Sequence, residues 1–314
     1  YVATNFGHNT KYHPTNEQPS RIYYGTFGET ATPQIIEAKV YGQTVLPVRG
    51  KSCSQNAMPF VRDKFPTYHA FASATLTEIY SDQALDTAKR FEANTLSTSL
   101  LINDGQGKFT VKPLPELAQI APGFGVVATE VNGDGNADLY LVQNFFTPQR
   151  ETGKMAGGLS VLLLGDGKGN FKPLWPNESG LVVPGDAKGL ATMDFNIDGW
   201  VDFVVTNNNA HPQVFLNNYA AQTSNTAVTV SLVGSLGNRK GIGARVTLVS
   251  TSGQRQTAEV YAGGSYLSQS SSQLHFGSTE ADPADQVEVR WPDGTTSTSS
   301  ITNDGRLEIE KQDD

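Results

Sequence analysis

A nine-residue pattern of oxygen-bearing side chains occurs twice, as Glu130-Val-Asn-Gly-Asp-Gly-Asn-Ala-Asp138 and as Asp194-Phe-Asn-Ile-Asp-Gly-Trp-Val-Asp202. In each copy the first, third, fifth and ninth positions carry Asp, Glu or Asn, the sixth is Gly, and an apolar run follows. Such a stretch suits a hard cation. Calcium takes about six to eight oxygens at flexible geometry. Alternate residues of a tight loop can aim carboxylates and amides inward while Gly permits the sharp turn. The candidate ligands of the first copy are Glu130, Asn132, Asp134 and Asp138, with the backbone carbonyl of Asn136. Those of the second are Asp194, Asn196, Asp198 and Asp202, with the carbonyl of Trp200. Glu130 is a methylene longer than the usual first ligand. The alternative is an Asx-rich hairpin turn without metal.

The spacing begins like an EF-hand loop and then departs from it. An EF-hand needs a bidentate Glu at its twelfth position and flanking helices. Here those positions are Leu141 and Val205, inside the apolar runs Leu139-Tyr-Leu-Val142 and Phe203-Val-Val205. Both runs read as buried strands. The loops must therefore be positioned by hairpins.

Further hairpins are written nearby. Leu101-Ile-Asn-Asp-Gly-Gln-Gly-Lys-Phe109 and Leu163-Leu-Gly-Asp-Gly-Lys-Gly-Asn-Phe171 are near copies, and Val214-Phe-Leu-Asn-Asn218 is a truncated third. Asp-Gly and Gly-Asn pairs between apolar runs are strong hairpin signals. Together the loops and hairpins resemble the FG-GAP/VCBS repeats, the blades of integrin-like β-propellers. The resemblance implies stacked antiparallel blades with calcium in the Asp-rich loops, and ligand recognition or cell-surface adhesion without naming a ligand. By repeat count the chain holds three to four blades, at or below the smallest closed propeller, so an incomplete closure is expected. A ghost of the loop lies at Thr26-Phe-Gly-Glu-Thr-Ala-Thr-Pro-Gln34, whose ligand positions Thr26, Gly28, Thr30 and Gln34 carry no carboxylate. It is expected to be a blade turn without metal.

Residues from about 59 to 97 break the strand pattern. Tyr68, Phe71, Ala72, Leu76 and Ile79 recur at helical intervals, and Ser81-Asp82 can cap a second helix. This is expected to be a helical insertion. A polar stretch at 219–226 then leads to alternating runs, among them Val228-Thr-Val-Ser-Leu232, Ala244-Arg-Val-Thr-Leu-Val249 and Val287-Glu-Val-Arg-Trp291, punctuated by Gly-containing turns. They predict a small antiparallel sandwich or barrel. Asn238-Arg-Lys-Gly-Ile-Gly-Ala-Arg-Val246, Gly264-Ser-Tyr-Leu-Ser-Gln-Ser270, Leu274-His-Phe-Gly277 and Val289-Arg-Trp-Pro-Asp-Gly294 resemble, in that order, the hallmarks of the ASPIC/UnbV domain. The family usually follows His-Phe-Gly with Leu-Gly, where this chain has Ser278-Thr279. The expected fold is all-β: a partial or small propeller over 1–222, then an ASPIC/UnbV-like domain over 223–314.

Composition bounds the function. A net charge of −8 with no basic aromatic patch argues against nucleic acid. No apolar run is long enough to span a membrane. Cys53 is the single cysteine, so no disulfide forms within the chain. There is no Gly-x-Ser-x-Gly elbow, His-Glu-x-x-His or P-loop, and the five histidines are scattered. The expectation is a non-enzymatic calcium-binding scaffold, secreted, periplasmic or on the cell surface, with an extracellular protein or carbohydrate as ligand. A carbohydrate-binding module using Trp175, Trp200 or Trp291, or a calcium-dependent polysaccharide lyase, is the alternative.

Overall fold

The computed structural model describes residues 1–302 and 304–312, so residues 303, 313 and 314 of the expected C-terminal domain lie outside it. Strands dominate, arranged in several mostly antiparallel sheets with one cluster of short helices and, among the described residues, no closed barrel. In chain order come β1 (Val2–Ala3), β2 (Ser20–Gly25), β3 (Gln34–Tyr41) and β4 (Thr44–Pro47). Helices α1 (Lys51–Ala57), α2 (Phe60–Lys64), α3 (Tyr68–Ala72), α4 (Leu76–Tyr80) and α5 (Asp82–Thr87) follow. The chain then runs through β5 (Lys89–Ala93), β6 (Ser99–Asn103), β7 (Phe109–Pro113), β8 (Gly123–Thr129), β9 (Asp138–Gln143), β10 (Val161–Gly165) and β11 (Phe171–Leu174). After the single turn α6 (Pro176–Ser179) come β12 (Ala187–Met193), β13 (Asp202–Asn207) and β14 (Gln213–Phe215). It ends in β15 (Thr226–Val233), β16 (Arg245–Ser250), β17 (Arg255–Glu259), β18 (Leu274–Ser278), β19 (Ala284–Arg290), β20 (Thr296–Ser300) and β21 (Arg306–Glu310).

The chain divides into two compact units. One comprises Tyr1–Asn9, Ser97–Pro148 and Lys154–Asp314, and the other Thr10–Leu96 and Gln149–Gly153. The 222/223 boundary expected from the sequence falls inside the first unit.

In the first unit three small sheets precede the C-terminal region, with strand orders β1-β6-β7, β11-β10-β9-β8 and β12-β13-β14. The two Asp-rich loops join β8 to β9 and β12 to β13, and each hairpin closes on the same kind of pair, Thr129↔Asp138 and Met193↔Asp202. The near-copy hairpins also agree, closing on Asn103↔Phe109 and Gly165↔Phe171. The unbroken apolar run of β9 is explained by burial along its whole length, with Tyr140 packed against Phe203 in a core shared with Leu190 and Val205.

The C-terminal sandwich packs the sheet β18-β15-β21 over β17-β16-β19-β20. Alternate residues Val228, Val230, Val246, Leu248, Val287, Val289 and Trp291 fill its core. One pairing departs from the antiparallel expectation: β21 lies parallel to β15, Val230 opposite Leu307. The reason is topological. β20 belongs to the other sheet, so the chain crosses the core before β21 and arrives running in the direction of β15.

In the second unit the sheet β4-β3-β2-β5 buries Tyr23, Ile36 and Ala38 against Val61, Phe71, Leu76 and Ile79 of the helices. The helical cluster starts earlier than the sequence suggests, at Lys51, and ends at Thr87. Its last expected residues instead form β5, an exposed edge strand on β2, whose Lys89, Arg90 and Glu92 suit an edge that must not pair further. The run from 65 to 80 is divided because Thr75 starts α4 with a capping box to Glu78. Ser81 caps α5 as its position predicts.

Candidate metal loops

The local folding of both loops follows from side chains taking up backbone N–H groups. In the first, Glu130 Oε1 accepts from the amides of Asn132 and Gly133, and Oε2 from that of Gly135 at 2.7 Å. In the second, Asp194 Oδ1 accepts from Asp198 N and Oδ2 from Gly199 N at 2.9 Å. The extra methylene of Glu130 lets it reach one amide more.

The other positions repeat closely. Asn132 Oδ1 accepts from Asp134 N, and Asn196 Oδ1 from Asp198 N. Asp134 Oδ1 takes the amide of Asn136, and Asp198 Oδ1 that of Trp200, each at 2.8 Å. The ninth residue closes the turn, with Asp138 Oδ2 accepting from Val131 N and Asp202 Oδ2 from Phe195 N. Its second oxygen reaches the neighbouring strand, where Gly165 N donates to Asp138 and Asn217 N to Asp202. The sixth-position glycines have φ of +86° at Gly135 and +95° at Gly199, a region closed to most side chains.

Burial and charge distinguish the two copies. Glu130 and Asp138 are buried, whereas Asn196 and Asp198 stand exposed with Asp194 half-buried and Asp202 buried. Burial, with Asp138 and Asp134 close by, pushes the Glu130 carboxyl up to about 8. Burial, against bonds from Gly165 and Val131, lifts Asp138 to about 7. Among the described ion pairs none involves Glu130, Asp134, Asp138, Asp194, Asp198 or Asp202. Each loop thus concentrates three carboxyl groups, none in a described ion pair with a basic side chain.

Among the described residues no group of three or more His, Cys, Asp or Glu side chains is gathered as a metal cluster. The carboxylates point at main-chain amides, and a full donor set draws also on Asn132 or Asn196 and on a carbonyl. Glu130 Oε1 accepts two hydrogen bonds, but every other loop carboxylate oxygen accepts one described bond and keeps a free lone pair. The donor chemistry, hard oxygens with uncompensated negative charge, therefore fits calcium.

The two loops are neighbours. The Trp200 ring of the second lies where a Cβ on Gly133 would fall, 3.0 Å from its nearest atom, and Asn217 Nδ2 donates to Val131 O. The C-terminal region lies against both. Asn225 Nδ2 donates to Asn132 O at 3.1 Å, His275 Nδ1 lies 3.2 Å from Gly199 O, and Arg306 donates to Ile197 O. The Gly264–Ser270 hallmark lies along β8 and β12: the hydroxyls of Ser265, Ser268 and Ser270 accept from the amides of Val126, Leu190 and Thr192. Sequence reasoning misses Asn217, Asn225, Gln256, His275 and Arg306 as neighbours of the loops. Only the Leu274–Gly277 and Val214–Asn218 motifs signal that part of this set matters.

Other residues weighed from the sequence fall elsewhere. Trp200 and Trp291 are buried, the latter donating through Nε1 to Ser297, so Trp175 alone of the tryptophans is exposed. Cys53 is partly exposed and its thiol donates to Glu151. In the second unit Glu37 accepts from Tyr12, Arg49 and Gln149. Burial raises its pKa, but these bonds outweigh it and hold the carboxyl below its usual range. Lys188 pairs with Asp186, donates to Asn144 O and lies over the Phe124 ring. Two hydrogen bonds and a ring face hold that amine, as in a structural ion pair.

Residues 234–314 match the family described as ASPIC and UnbV, which identifies the C-terminal region. No curated protein matches the chain. Among the described residues no helix is long and apolar enough to cross a membrane.

Proposed function

We propose that this chain is a non-enzymatic, calcium-binding scaffold of FG-GAP/VCBS-type blades with an ASPIC/UnbV domain, working outside the cytoplasm to recognise a protein or carbohydrate. One observation carries the reading. Two hairpins of the same closing register draw Glu130, Asn132, Asp134 and Asp138, and Asp194, Asn196, Asp198 and Asp202, into the same pattern of bonds, and leave six carboxylates without a basic partner. The carbonyls of Asn136 and Trp200 would complete the two sets. Bound calcium would neutralise the loops. Binding to the folded state alone adds about 2.7 kcal/mol per site at a hundredfold excess over the dissociation constant. Weak sites of this kind suit millimolar extracellular calcium, which supports the location.

The test is a calorimetric calcium titration of chelated protein beside Asp134→Ala and Asp198→Ala. Two sites are expected, each abolished by its own substitution. Absence of heat together with an unchanged melting point in millimolar calcium would reduce both loops to turns.

A further inference from the structure

The C-terminal sandwich touches the Asp-rich loops at an unusual set of atoms. It takes hold of main-chain carbonyls: Asn132 O through Asn225, Gly199 O through His275 and Ile197 O through Arg306. These carbonyls are turned outward because the loop carboxylates bind the intervening amides, as Glu130 does at Gly133 and Gly135 and Asp194 at Gly199. Above the first loop the approach is closer still. A Cβ on Gly277 would stand 2.6 Å from Gly133 C and 2.7 Å from Glu130 Oε2, and one on Gly135 would stand 3.1 Å from Gln256 Nε2. Gln256 bonds the Gly277 main chain in both directions, holding that strand at the loop.

We propose that the C-terminal sandwich is the partner that reads these loops, so that calcium binding and docking of β15 and β18 strengthen one another. The inference rests on the calcium reading above. A loop that gathers three carboxyl groups with no ion-pair partner resists closure as they ionise, and a cation removes that resistance and fixes the carbonyls at which the sandwich docks. The opposing effect is small. Calcium would weaken the pull of the second loop on Arg306, but that side chain is exposed and forms no described ion pair with the loop, so solvent already screens most of the attraction. Coupling of this kind is reciprocal, so loosening the sandwich must weaken calcium by the same factor.

The experiment uses the full chain. In an Asp198→Ala background, which isolates the first loop, calcium affinity is measured by calorimetry with and without Gly277→Ala and, separately, Asn225→Ala. Gly277 sits in a strand at ordinary φ, so alanine leaves its own backbone unstrained and presses across the contact on the Gly133 main chain and the Glu130 carboxylate. The Asn225 amide donates to the Asn132 carbonyl and to no candidate ligand side chain, and alanine keeps the Cβ that lies against Gly133, so the substitution removes that docking bond alone. Affinity should fall about tenfold for Gly277→Ala and about threefold for Asn225→Ala, within or just below the usual range of coupling. Hydrogen exchange in residues 274–278 should slow when calcium is added to the wild-type chain, and should not respond in an Asp134→Ala, Asp198→Ala double variant. Calcium binding unchanged by Asn225→Ala, with no response of β18 to calcium, overturns the coupling and leaves the metal sites standing. A wild-type chain that binds no calcium overturns both.

Discussion

At the residue scale the informative groups are Glu130 and Asp138. Their carboxyls are raised from 4.5 to about 8 and from 3.8 to about 7 by burial, with neighbouring carboxylates adding to it. A raised carboxylate means that the folded chain holds protons which the unfolded chain has released. Stability is then highest below the unfolded pKa values and falls as pH rises towards the folded ones. In chelator, the denaturant midpoint should therefore decline between about pH 4 and pH 8. Saturating calcium should flatten that decline, and Glu130→Gln should flatten part of it without metal, because a neutral amide has no charge to bury. A midpoint in chelator that is level across this window would show that solvent reaches these carboxyls and that burial does not govern them.

At the scale of the element, the three related hairpins show two ways of holding one turn. The loop between β2 and β3 closes on Gly25↔Gln34, the counterpart of Thr129↔Asp138 and Met193↔Asp202. It has no carboxylate at the ligand positions. Phe27, fully buried among the helices, anchors it, and Thr30 bonds the Phe27 main chain. Phe27→Ala should cost about 3–5 kcal/mol, the usual range for a buried aromatic. Equilibrium unfolding should give the same loss with and without calcium; a loss that calcium repairs would place a metal in this loop as well. These turns were legible in the sequence because their Asx and Glu side chains, glycines and caps are contiguous. The ASPIC/UnbV region was legible for a similar reason, through short motifs such as Gly264–Ser270. What the sequence did not disclose is long-range. Nothing local tells that Asn217 N will meet Asp202 Oδ1 or that Gly277 will sit on Gly133, and nothing in Lys89–Ala93 distinguishes an edge strand from the end of a helical insertion until β2 offers it a partner. The parallel β15–β21 pair likewise depends on which sheet receives β20.

At the scale of the molecule, the two compact units differ in what could stabilise them. Both Asp-rich loops lie in the unit that contains β6 to β21, whereas the unit built on Tyr23, Phe27, Ile36 and the helices has its own core and only the carboxylate-free turn. Calcium should therefore act on one cooperative transition and leave the other in place. With both sites saturated a hundredfold, the stabilisation is about 5 kcal/mol, which for a unit of this size moves its melting point by roughly 10–20 °C. Differential scanning calorimetry in chelator and in millimolar calcium should resolve one endotherm that shifts and one that does not. Asp134→Ala and Asp198→Ala should each remove about half of the shift, since each deletes one of the two proposed sites, while Phe27→Ala should lower only the stationary endotherm. Two endotherms moving together would mean that the units unfold as one body, and the calcium effect would then belong to the whole chain.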